Sequence, residues 1–266
     1  MELSITTDYA KDTGNPEPYL RRIAEAGFSH IHWCHHWNTD FLYSRYEIEQ
    51  IQHWLQEFHL QLLDLHGSSG VEKNWASSRE YERLSGVELV QNRIAMAAHL
   101  GSGVVIMHVW EYSEPIKRSL DELEPFARAH GVRIALENLG FPESFEIIAQ
   151  ILADYSPDYL GLCYDAGHGN LSGCDGLTWL EKLKDRLISV HLHDNDGQSD
   201  QHKPLFSGTI DWERLADIMA RSSYEKCVSM ELSIRNVENK DEPTFLQRAY
   251  QEGVRLTEMI RAHRKG

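Results

Sequence analysis

The chain has 266 residues, 41% apolar, 10% aromatic and 25% charged, a globular composition that excludes disordered, collagen-like and fibrous classes. The 26 Lys and Arg stand against 41 Asp and Glu, and the resulting net charge of −15 disfavours a nucleic-acid partner. Apolar runs such as Val104-Val105-Ile106-Met107 fall far short of the roughly 20 residues of a membrane helix, so no membrane partner is expected.

Runs rich in β-branched residues recur in chain order at Leu3 to Thr7, Phe28 to Trp33, Leu60 to Leu65, Gly103 to Val109, Val132 to Glu137, Leu160 to Tyr164, Leu187 to His191 and Lys226 to Leu232. Segments of helical spacing fill the gaps. They carry one apolar face each: Leu20, Ile23 and Ala24 in the first, Val87, Val90, Ile94 and Ala98 in the third, Phe245, Ala249, Leu256 and Ile260 in the last. Three helices end at Gly27, Gly101 and Gly131, the residue type best suited to a left-handed cap. Eight strand–helix units without a linker predict one domain over 1–266, an α/β (β/α)8 barrel, with a doubly wound open sheet as the competing arrangement. Cys34, Cys163, Cys174 and Cys227 form no C-x-x-C pair and read as reduced thiols. Met1-Glu2-Leu3-Ser4 lacks a basic stretch followed by an apolar one, and the expected location is cytoplasmic.

A barrel of this kind places its chemistry at the C-terminal ends of the strands. Strands three to eight end in His66, His108, Glu137, Asp165, His191 and Glu231. Taken singly, each has an ordinary explanation; Asp165, for example, would cap the helix that follows it. Glu137 and Glu231, however, interrupt apolar strands, where a carboxylate costs several kcal/mol unless paired, protonated or metal-bound. The set points to a divalent-metal site. His168, three residues after Asp165, and the pair Asp200 and His202 beyond strand seven extend it.

With these residues the chain resembles the xylose-isomerase-like barrel superfamily, which includes sugar and sugar-phosphate isomerases and epimerases and the endonuclease IV group. The matching segments are Glu137-Asn138, Asp165-Ala166-Gly167-His168, His191-Leu192-His193-Asp194, Ser207-Gly208-Thr209-Ile210-Asp211-Trp212 and Glu231. In the epimerases, the resemblance implies one ion, often manganese, on Glu137, Asp165, His191 and Glu231, with both glutamates as acid and base and His168 on the substrate. In the endonuclease branch it implies three zinc ions: His66, His108 and Glu137 around one; Glu137, Asp165, His191 and Glu231 around a second; His168, Asp200 and His202 around a third.

The presumed rim offers few cations (Lys11, Lys73, Arg79, Lys203, Arg235) among many acids, including Asp8, Asp12, Asp40 and Glu72. Aromatic residues are abundant there: Trp33, Trp37, Tyr43, Trp75, Trp110, Tyr112 and Phe206. A small, partly apolar sugar pocket is therefore expected, with Trp33, Trp110, His168 and His202 against a carbohydrate substrate. The leading expectation is an isomerase or epimerase that uses one to three Mn or Zn ions. The alternatives are a trinuclear phosphodiesterase or abasic-site endonuclease, a dehydratase on the same scaffold, and a sugar-binding barrel without catalysis. Exterior helices would support a homodimer, and no role is read for the run His32-Trp33-Cys34-His35-His36-Trp37.

Overall fold

The computed structural model describes residues 1–36, 42–67 and 73–265; Trp37, Asp40 and Glu72 lie outside the described residues. The strands among them are β1 (Glu2–Thr6), β2 (His30–Trp33), β3 (Gln61–His66), β4 (Val104–His108), β5 (Arg133–Glu137), β6 (Leu160–Asp165), β7 (Leu187–His191) and β8 (Cys227–Met230). The helices are α1 (Glu17–Glu25), α2 (Arg45–Glu57), α3 (Glu80–His99), α4 (Glu114–Ala129), α5 (Ser144–Asp154), α6 (Ala166–Asn170), α7 (Gly176–Leu183), α8 (Trp212–Arg221) and α9 (Glu242–Lys265).

The strands pair in parallel in sequence order, and β1 also pairs with β8. The Leu192 amide donates to Ser229 at 2.9 Å and the Glu231 amide to Leu192 at 3.1 Å, which joins β7 to β8. This ring excludes the open sheet. It is a TIM barrel.

Successive side chains of a strand point to opposite faces. Val105, Met107, Leu136 and Leu162 face the helices in the main core, whereas Val104, Ile106, Ala135 and Cys163 form a separate cluster inside the barrel, joined by Ile188 where a register shift between β6 and β7 breaks the alternation. The apolar helix faces read from the sequence pack as expected: Leu20, Ile23, Val87, Val90, Ile94, Phe245, Leu256 and Ile260 are all buried. Gly27, Gly101 and Gly131 adopt positive φ just beyond their helices. The strand limits move by one or two residues: Glu2, His66 and Asp165 join their strands, while Phe28, Val109 and Leu232 fall outside theirs. Glu231 consequently stands immediately after β8.

Helix α3 is seated closely. A Cβ on Gly86 would lie 2.2 Å from the Trp75 backbone nitrogen, and buried Arg83 ties α3 to α4 through Glu122 at 2.6 Å and Ser119 at 3.0 Å. Backbone cannot yield as a flexible side chain would. Gly86→Ala is expected to lose about 1–3 kcal/mol of stability in urea unfolding; an unchanged midpoint would contradict this packing.

Candidate active site

The parity that directs Ile106, Ala135 and Cys163 inward also directs His108, Glu137 and Asp165 into the barrel mouth. His66, His108, Glu137, Asp165 and His191 each end their strand. Pairing sets neighbouring members side by side, His108 opposite Glu137 and Asp165 opposite His191. All nine donors expected from the sequence gather at this end.

Eight of them form three groups, the first two sharing Glu137, while Asp165 stands against His168 and His193. His66 Nε2, His108 Nε2 and Glu137 Oε2 make a triangle with sides of 3.2, 3.3 and 3.4 Å. His191 Nδ1 lies 3.2 Å from Glu137 Oε2 and 3.0 Å from Glu231 Oε2. Asp200 Oδ2 lies 3.4 Å from His168 Nε2 and 3.1 Å from His202 Nε2. Two donors bound tetrahedrally at about 2.0–2.1 Å sit about 3.3 Å apart, so these spacings fit a shared cation. Among the described residues, Glu137 Oε2 and both His191 ring nitrogens are buried without an aligned hydrogen-bond partner. Close approach without hydrogen-bond alignment suits a metal better than a protein network.

A second tier orients the donors. The Nδ1 atoms of His66, His168 and His202 lie 2.7, 3.0 and 2.7 Å from the backbone carbonyls of Gly67, Asn138 and Glu231. An Nδ1–H donated to each carbonyl leaves the Nε2 lone pair aimed at the site. The Asn138 side chain bonds both the amide and the carbonyl of Asp165 at 2.9 Å, locking the ends of β5 and β6 together.

Asp165 performs the capping expected of it, accepting the His168 amide at 2.6 Å. Its carboxylate also faces His193 Nε2, 3.1 Å from either oxygen. Gly167 permits this approach, since a Cβ there would lie 1.9 Å from the His193 ring. Beyond β7, the Asp194 carboxylate accepts from the Gly208 and Ile210 amides and from Trp212 Nε1. The Ser207–Trp212 motif is thus the anchor of the loop that carries Asp200 and His202.

Burial alone would raise the Glu137 carboxyl, yet the charges of His191 and His108 hold it well below the usual carboxylate range. Glu231 is held down in the same way by His191 and His202, against burial. Burial lowers His168 and His202, but Asp165 and Asp200 push the first up to about 12, and Asp200 and Glu231 push the second to about 10. The imidazoles and carboxylates compensate one another. A divalent ion would replace the imidazolium protons and leave the carboxylates balanced.

The groups open into a cavity of about 900 Å³ whose lining includes Glu137, His168, His202 and Glu231 together with Trp33, Trp75, Trp110 and Arg93. Trp33 is nearly buried, its Nε1 donating to Tyr43 at 3.2 Å. Trp110 is 68% exposed and stacks on Phe141. Phe206 packs on Trp212, and the Tyr112 hydroxyl donates to Asp154 at 2.7 Å. His193, Asn138, His32 and Asp64 were not singled out from the sequence for these contacts. Strand parity was the available signal for two of them: His32 lies in β2, and Asp64 precedes His66 by two residues on the same face.

A family profile described as xylose isomerase-like TIM barrel matches residues 20–258. The y4fM protein of Sinorhizobium fredii (strain NBRC 101917 / NGR234) is 32% identical over 92% of this chain and 89% of its own length. A D-tagatose 3-epimerase-like protein of known structure superposes with a TM-score of 0.78 at 23% identity, covering 100% of this chain and 99% of its own. The D-allulose 3-epimerase of Methylomonas sp., solved with D-allulose, gives 0.75 at 16% identity over 94% and 95%.

Addition of Mn or Zn ions to chelator-dialysed protein is expected to raise its unfolding midpoint, by about 2.7 kcal/mol of stability at a hundredfold excess over Kd. Glu137→Gln removes the shift. An equal shift in the variant would show that the ion binds elsewhere.

Proposed function

The chain belongs to the xylose isomerase-like TIM barrel family, and on that footing we propose that it is a divalent-metal-dependent isomerase or epimerase of a ketose or ketose phosphate. The observation that carries this reading is the convergence of two carboxylates, buried Glu137 and partly buried Glu231, on one atom of His191 at 3.2 and 3.0 Å. Solved structures of similar fold named for 3-epimerases of D-tagatose type, L-ribulose and D-allulose support it.

Glu137, Asp165, His191 and Glu231 would hold the ion, which supplies charge stabilisation at the carbonyl oxygen and acidifies the adjoining C–H. One glutamate, ionised, takes the proton from the carbon beside the carbonyl. The other, protonated, delivers a proton to the opposite face of the enediolate, and the roles exchange in reverse. His168, its Nδ1 fixed on the Asn138 carbonyl, orients a substrate oxygen through Nε2, and His202 flanks the same oxygen-bearing side. Trp33 and Trp110 offer apolar walls to the carbon face of the sugar. Expulsion of a hydroxide from the same enediolate would give a dehydratase with the same residues.

A second reading, phosphodiester hydrolysis at a three-ion centre, is favoured by one observation: His66, His108, His168, Asp200 and His202 add two further donor groups. A one-ion epimerase does not require them as ligands.

Glu231→Gln is expected to keep ketose binding while losing about 10²–10⁴-fold in turnover, along with solvent deuterium exchange at the substrate carbon. Normal exchange in that variant would sink the acid–base assignment. An abasic-site duplex should survive the metal-loaded protein intact; cleavage that disappears in His202→Ala would move the assignment to hydrolysis.

A further inference from the structure

Below the donor groups, on the inner face of β2 and β3, lies a buried polar chain that the proposed reaction does not use. His32 Nδ1 sits 2.8 Å from Asp64 Oδ1, and Asp64 Oδ2 accepts the Ser189 hydroxyl. All three residues are buried. Burial would raise the Asp64 carboxyl, but the His32 hydrogen bond and charge hold it below its ordinary value. Asp64 is therefore an acceptor that draws the His32 proton to Nδ1. That leaves Nε2, a fully buried atom without a hydrogen-bond partner among the described residues. A buried polar nitrogen left in this way is costly unless a ligand satisfies it.

Two other donors stand beside it. A ligand atom from each of His32, Cys34 and Glu231 lies within 4.8 Å of the other two. Cys34 follows His32 at the mouth of β2, its amide held by the Thr7 hydroxyl at 3.0 Å. Asp8, close enough to have its carboxyl raised by burial and then by the Glu231 charge, adds a further acidic group to this wall. A carboxylate that fixes one imidazole nitrogen so that the other can ligate is the usual outer support of a metal-bound histidine. Thiol, imidazole and carboxylate together suit a thiophilic divalent ion such as zinc rather than magnesium or calcium.

We propose that His32, Cys34 and Glu231 form a binding site for a thiophilic divalent cation at the end of β2, adjoining the donor groups at the barrel mouth and sharing Glu231 with them. On binding, the Cys34 thiol loses its proton to solvent and sulfur becomes a ligand, while Asp64 keeps the His32 ring in place. The site would put a second positive charge on the far side of the proposed acid–base glutamate. Cation binding here does not depend on the ketose reaction, and the two are read separately.

Cobalt(II) is the probe, added stepwise to the full-length, metal-free protein under anaerobic conditions. A near-ultraviolet sulfur-to-cobalt charge-transfer band is expected in the wild type. It should vanish in Cys34→Ser, whose side chain is nearly the same size, and persist in Cys163→Ser, the other thiol near His191 and Glu137. Asp64→Asn should weaken the affinity read from this band about 10–100-fold. No band at saturating cobalt, a band that survives Cys34→Ser, or one lost in Cys163→Ser would each overturn the proposal. Deuterium exchange into a ketose, measured on the same samples, reports the proposed function independently of that outcome.

Discussion

The cost of burying carboxylate at the end of a parallel strand governs this molecule. Glu137 is 1% exposed, at the end of a strand whose three preceding residues, Ile134, Ala135 and Leu136, are apolar and buried. An uncompensated charge in that position costs several kcal/mol, so the chain must surround it with positive or donor groups. His66, His108, His168 and His191 each bring a ring nitrogen within 3.5 Å of its carboxylate. Four strand ends and one helix start are therefore bound to one side chain. The barrel mouth cannot relax without exposing or stranding that charge.

The surrounding loops serve the same constraint. Asn138 fastens β5 to β6, Asp194 gathers the Gly208–Trp212 segment, and Asn195 bonds the Gly167 carbonyl at 2.8 Å and accepts from Asn170 at 2.8 Å. The Asn138 and Asn195 bonds join the segment at the end of one strand to that of its neighbour, and the Asp194 bonds close the long segment after β7 on itself. Donor groups held on rigid strands and braced by such a tier are preorganised, which is what differential stabilisation of a charged transition state requires. Exposed Trp110, by contrast, stands outside the brace on Phe141, where a substrate rather than the fold would cover it.

Much of this was legible from the chain alone because period-2 alternation and strand spacing act locally. Gly103 to Val109 reads as a strand with His108 near its end, and Val104–His108 is one. Closure of the ring was legible only through the count of units, since the pairing of β1 with β8 joins residues as distant in sequence as Leu3 and Val228. The nine donors, six at strand ends and three beyond them, were visible as residue types. The partners that aim them were not, because Gly67, Asn138 and Glu231 act through backbone carbonyls, which carry no sequence signature. His193 was hidden for another reason: it meets Asp165 from just beyond the neighbouring strand β7, and only the absent Cβ of Gly167 hints at a ring passing there. His32 and Asp64 form their bond between adjacent strands across a register shift, which alternation within one strand cannot reveal.

The most direct measurement is the number of divalent ions per chain in protein purified without chelator, by elemental mass spectrometry, before and after dialysis against a chelator. A mouth organised around buried carboxylates and inward-facing imidazoles requires at least one ion per chain before dialysis and its loss afterwards. Protein that carries no ion and takes none up from Mn or Zn solutions would mean that the imidazoles alone balance Glu137 and Glu231, and the metal-assisted acid–base site would be contradicted.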